Sequence, residues 1–108
     1  MSAEEASVMD QVYTVEEIRK VASVIAKRHG VKKMYLFGSY ARGDARLGSD
    51  LDFRIDKGAI QGLFALGGLY ADLEDAFGLK IDLVTTDSLD EEFLRQIASE
   101  EVMIFEDI

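Results

Sequence analysis

Between positions 50 and 56 the side chains alternate without a break: Asp50, Asp52, Arg54 and Asp56 share one parity, and Leu51, Phe53 and Ile55 share the other. Alternate residues of an extended chain point to opposite faces, so this segment is a strand with one apolar and one charged face. The apolar face needs cover, which calls for a sheet packed under helices. Flanking segments supply both. Thr14-Val15-Glu16-Glu17 has capping-box spacing, and Val15, Ile18, Val21, Ala22, Ile25 and Ala26 then recur at helical spacing up to Gly30. Lys33 to Phe37 reads as a strand, Gly38-Ser39 as a turn opening a short helix, and the stretch to Ser49 as a loop. Ile60 to Phe77 is expected to be a second long helix with Leu63, Phe64, Leu66, Leu69, Tyr70, Leu73 and Phe77 on a broad apolar stripe. Lys80 to Thr85 reads as a third strand, Thr86, Asp87 and Ser88 as caps of a helix from about Leu89 to Ala98, and Val102 to Phe105 as a last strand. The order predicts an α/β (α+β) fold: a small mixed β-sheet with helices packed on one side.

A chain of 108 residues supports one such core, so residues 1–108 are expected to be a single domain, with Met1 to Tyr13 lacking a clear period and fraying. Forty-eight per cent hydrophobic residues suffice to build that core. The absence of cysteine and the single histidine, His29, exclude thiolate and multi-histidine metal sites, so any metal is held by oxygen. The net charge of −9 argues against direct nucleic-acid binding and favours a basic protein partner. The longest uncharged stretch, Gly58 to Ala71, is too short and interrupted to span a bilayer and reads as buried helix. With Glu4 and Glu5 where a secretory signal needs positive charge, no membrane is expected and the cytoplasm is the expected location.

The charged strand face carries the chemistry. Asp50 and Asp52 present adjacent carboxylates, whose repulsion a shared Mg²⁺ would relieve. Asp82 stands in the middle of the otherwise apolar third strand. If that strand lies beside the second, the three acids form a cluster able to hold two metals roughly 3.5–4 Å apart, as in-line phosphoryl displacement requires. Gly38-Ser39, after a strand and before a short helix, offers backbone N–H groups and a hydroxyl to phosphate. Arg42, one turn on, either contacts phosphate or holds the loop by pairing with an aspartate. Gly38→Val is expected to reduce affinity for a nucleoside triphosphate with a smaller effect on the fold. His29 is assigned no catalytic role, Asp90, Glu91 and Glu92 read as a helix first turn, and Glu100, Glu101, Glu106 and Asp107 read as solvated surface.

The stretch GSYARGDARLGSDLDFRID, Gly38 to Asp56, resembles the signature of the minimal nucleotidyltransferases of the DNA polymerase β-like superfamily, through Gly38-Ser39, Ala41-Arg42-Gly43, the spacing to Ser49, and Asp50-x-Asp52. Lys80-Ile81-Asp82-Leu83-Val84 is similar to the family's third-carboxylate strand, and the likeness covers roughly residues 31–106. Tyr40 and Phe53 are mild departures that remove no ligand. The resemblance implies the polymerase β-like fold and Mg²⁺-dependent transfer of AMP from ATP to a hydroxyl. It places Gly38, Ser39, Arg42 and Ser49 around the nucleotide. It makes Asp50, Asp52 and Asp82 catalytic residues and metal ligands, with Asp82 also helping to deprotonate the acceptor. Chains of this size in the family are commonly antitoxins that adenylylate a tyrosine of a HEPN ribonuclease toxin, which makes that helical protein the expected partner. Two other readings of the chain are an inactive antitoxin that neutralises by binding alone, and a catalytic subunit modifying a small alcohol.

Overall fold

A computed structural model describes residues 12–108 of the chain. Helix α1 spans Val15–His29, strand β1 Lys33–Phe37, helix α2 Ser39–Arg42, strand β2 Leu51–Asp56, helix α3 Gly62–Phe77, strand β3 Ile81–Thr85, helix α4 Glu91–Ala98 and strand β4 Val102–Glu106. The four strands lie in the order β3-β2-β1-β4. β1 pairs antiparallel with β2 and β4, while β2 and β3 are parallel. Parallel neighbours need a crossover, and α3 is that crossover.

The expected capping box forms: the Thr14 N–H donates to Glu17 Oε1 at 2.9 Å and the Glu17 N–H to Thr14 Oγ1 at 3.1 Å. At the other end Gly30, with φ 76°, takes the left-handed conformation that stops α1. Ile18, Ala22, Ile25 and Ala26 of α1 and Leu69, Leu73 and Phe77 of α3 are buried with Met34, Leu36, Leu51, Phe53, Ile55, Ile81 and Ile104 of the sheet. Both long helices therefore cover the apolar face that the alternation of β2 demanded. The other face carries Asp52, Arg54 and Asp56, and at its end Phe93 of α4 meets Phe37 edge-on at 6.1 Å.

Three details differ from the sequence expectations. The first turn of α3 is not buried: Leu63 and Phe64 are 86% and 98% exposed, Ala65 and Leu66 only begin to touch the core, and full burial starts at Leu69. Thr86–Ser88 form a separate 3₁₀ turn rather than the cap of α4; the cap is Asp90, whose Oδ1 accepts from the Phe93 N–H at 2.8 Å. Tyr13 is tied down rather than frayed, its hydroxyl donating to the Phe77 carbonyl at 2.9 Å. The fraying expected before it lies outside the described residues. Among those described, no helix is long and apolar enough to cross a membrane.

Candidate active site

Register brings the predicted residues to one end of the charged face. Phe37 pairs with Asp52 and Asp52 with Asp82, so the two acids lie side by side, and Gly38, just past the end of β1, adjoins them. Asp50 immediately precedes β2, with Lys80 Nζ 3.9 Å from its carboxylate. The approach at Gly38 is close. A Cβ there would lie 2.1 Å from Asp52 Oδ2, and the backbone has φ 77°, which side-chain-bearing residues rarely adopt. Gly38→Val would thus push Asp52 aside and strain the turn, which corrects the expectation of a smaller effect on the fold.

Asp52 is the most perturbed acid here. Burial, then the neighbouring charges of Asp82 and Asp50 and a hydrogen bond with Asp82, push its carboxyl up to about 6, against a smaller pull from Arg42. A carboxyl raised in this way by its neighbours attracts a cation or a proton. Among the described residues, however, no three acidic or histidine side chains close into a ready-made metal cage.

Ser39 opens α2, and Arg42 closes it with its guanidinium turned to two acids: Nε to Asp44 at 3.3 Å and Nη1 to Glu100 at 3.1 Å. Ser49 Oγ accepts from the Arg46 N–H at 2.8 Å, which fixes the loop just ahead of Asp50. Glu100 also accepts from the Gly38 N–H, at 2.6 Å. Glu101 lies against Arg54 at 2.6 and 3.0 Å. Neither Glu100 nor Glu101 is the solvated surface residue the sequence suggested. Their partners lie about sixty and fifty residues away in the chain, beyond the reach of any local pattern.

Spacing puts Tyr70 on the apolar stripe of α3, but its hydroxyl lies near acids. The charge of Glu74 foremost, then burial, a hydrogen bond to Glu74 and the charges of Asp50 and Asp82, raise it above the usual phenol range. With Leu63, Leu66, Gly67 and Leu83 it lines a groove of about 230 Å³ outside edge strand β3. A larger groove, about 550 Å³, lies on the helical side among Val21, Val24 and Asp75. His29 belongs to that side, its Nε2 2.6 Å from Asp72 Oδ2, and takes no part in the acid cluster.

Paired strand-borne acids beside a glycine-serine turn, on a mixed sheet covered by two helices, define the class of nucleotidyl-transferring enzymes. The profile of the polymerase β nucleotidyltransferase family matches residues 19–107, and the chain belongs to that family. It is 34% identical to the protein adenylyltransferase MntA of Thermococcus cleftensis, over 84% of this chain and 96% of that one. A solved structure described as a candidate minimal nucleotidyltransferase superposes with a TM-score of 0.72 at 29% identity, covering 83% of this chain and 95% of the other. A chain in a complex of a tri-AMPylated Shewanella oneidensis HEPN toxin with MNT antitoxin superposes with a TM-score of 0.67 at 18% identity, over 87% of this chain and 74% of its own, a likeness of fold.

Proposed function

We propose that this nucleotidyltransferase moves AMP from ATP onto a tyrosine hydroxyl of a HEPN-type ribonuclease and thereby acts as its antitoxin. The observation that carries the reading is that Gly38 adjoins Asp52 and Asp82, with Asp50 alongside: an open backbone turn facing acids that cannot all ionise comfortably without a cation. Asp50, Asp52 and Asp82 would hold Mg²⁺, which when bound neutralises phosphate charge. The open arrangement fits that ion, because Mg²⁺ binds through one or two carboxylates plus substrate phosphates rather than through an all-protein cage. In this reading Gly38 and Ser39 receive the triphosphate with Arg42 as a neighbouring donor, and Ser49 shapes the loop around it. Asp82, exposed on edge strand β3, accepts the proton of the incoming hydroxyl. The acceptor oxygen forms a bond to the α-phosphorus as the bond from that phosphorus to the bridging oxygen breaks. Pyrophosphate leaves, and AMP stays on the acceptor. The names of the Thermococcus and Shewanella proteins support protein as substrate and HEPN toxin as partner.

The test is incubation of the chain with its cognate HEPN-type protein, α-labelled ATP and Mg²⁺. Label on the partner's tyrosine, lost with Asp82→Asn at unchanged fold, is the expected result. Label on a small alcohol, or toxin silenced without label, would replace the proposal.

A further inference from the structure

The carboxylate of Glu100 stands where a phosphate oxygen is expected. One oxygen, Oε2, takes both the Gly38 N–H at 2.6 Å and the Arg42 Nη1–H at 3.1 Å. These are a backbone amide of the glycine-serine turn and the guanidinium next to it, donors that suit a phosphate equally well. The contact is sheltered: the Glu100 side chain is 20% exposed, whereas Asp44, the other partner of Arg42, is 64% exposed. It is also electrostatically awkward, because Glu100 adds a negative group to an end of the sheet that already carries Asp50, Asp52 and Asp82. What offsets that repulsion is the satisfaction of two donors that would otherwise lie bare.

We propose that Glu100 is an internal stand-in for the triphosphate, a latch that occupies the cradle in the nucleotide-free chain and must swing out when nucleotide binds. The proposal rests on the reading of Gly38 and Ser39 as the nucleotide cradle. The backbone around the latch is well anchored. The Glu100 and Glu101 N–H groups both donate to the Ile97 carbonyl, and Glu101 is clasped by Arg54. Release is therefore a rotation of the Glu100 side chain, with α4 and β4 remaining in place. It removes one carboxylate from a site about to receive several phosphate charges and turns two donors over to the ligand. Nucleotide affinity is accordingly set in part by a residue that contacts the cradle only when the nucleotide is absent.

A pillar that merely props Arg42 would respond to mutation in the opposite sense. In the full chain, Glu100→Gln and Glu100→Ala should each tighten Mg²⁺–ATP binding by about tenfold in calorimetric titration, while adenosine, which has no phosphate, binds as it does to the unmutated protein. Weakened or unchanged ATP affinity in both variants overturns the latch but leaves the nucleotide reading standing, provided the unmutated chain binds ATP. If neither the unmutated chain nor the variants bind ATP, that reading and the latch both fall. An equal gain for ATP and adenosine overturns the latch as well. A second measurement needs no mutant. In the unmutated protein, ATP should shift the Gly38 amide and the Glu100 side-chain carboxyl resonances together, and a Glu100 carboxyl that stays put at saturation overturns the proposal.

Discussion

At the scale of single residues, the unusual group is Asp52, whose acidity is weakened by burial and by Asp82 and Asp50. An unfolded aspartate titrates near its ordinary value of 3.8, whereas Asp52 in the folded chain titrates at about 6. Between those values the folded state holds more protons than the unfolded state, so this group makes stability fall as pH rises through the window. Above it, the folded chain carries a crowded carboxylate that unfolding would relieve. In chelator, urea titrations of the unmutated protein should therefore show stability decreasing from about pH 4 to about pH 7 relative to Asp52→Asn, which carries no titrating group there. Asp52→Asn should be the more stable protein at neutral pH and should not transfer nucleotide. Parallel pH profiles for the two proteins would refute the crowding. The same residue explains why Gly38 is glycine: only a residue without a side chain passes so close to Asp52 Oδ2.

At the scale of elements, Phe37 and Phe93 pack at the end of the charged face of the sheet, while its middle is held by Arg54. Its guanidinium lies 4.2 Å from the Tyr35 ring centroid, bonds Glu101 twice and donates to Thr86 Oγ1, joining β1, β2, the 3₁₀ turn and the approach to β4. Arg54 and Glu101 are only 12% and 10% exposed, so removing Glu101 leaves a largely buried guanidinium with Asp56, 3.5 Å away, as its remaining acid. Glu101→Ala should cost roughly 3 kcal/mol in chemical denaturation. Arg54→Met with Glu101→Leu should cost less than that single change, and a double variant less stable than Glu101→Ala would show that the pair contributes beyond mutual neutralisation. None of this network was legible in the sequence. Alternation in β2, the capping box of α1 and the strand-turn spacing at Phe37-Gly38-Ser39 are local signals, and each produced the element expected of it. Asp82 could be singled out because an acid among Ile81, Leu83 and Val84 is conspicuous, although its alignment with Asp52 depended on a parallel pairing that the sequence raised only as a condition. Glu100 and Glu101 look like any acidic surface pair, since what distinguishes them is the tertiary position of β4 beside β1. The exposed first turn of α3 was misread for a related reason: a helical stripe reports which residues share a face, but not how far along the helix that face stays covered.

At the scale of the whole molecule, a chain of 108 residues with net charge −9 brings Asp50, Asp52 and Asp82 to one end of its sheet. In the proposed mechanism the acceptor hydroxyl is delivered by a docked partner, and edge strand β3, with Asp82 exposed on it, is the side from which it would enter. Excess negative charge draws a basic partner in from beyond contact distance, and salt screens that attraction over a Debye length of about 10 Å at 0.1 M. Association with the HEPN-type protein should slow by about tenfold or more as ionic strength rises from low to high, with a much smaller change in the dissociation rate. Stopped-flow or surface-based kinetics across a salt series measures both rates. Asp82→Asn separates docking from chemistry in the same experiment. One side chain is a small part of a protein interface, so the variant should associate at close to the normal rate, whereas modification, which in the proposed mechanism needs that carboxylate to take the hydroxyl proton, should stop. Salt-independent association would remove electrostatic steering from the account. An Asp82→Asn chain that still modifies its partner at the normal rate would remove Asp82 as the base.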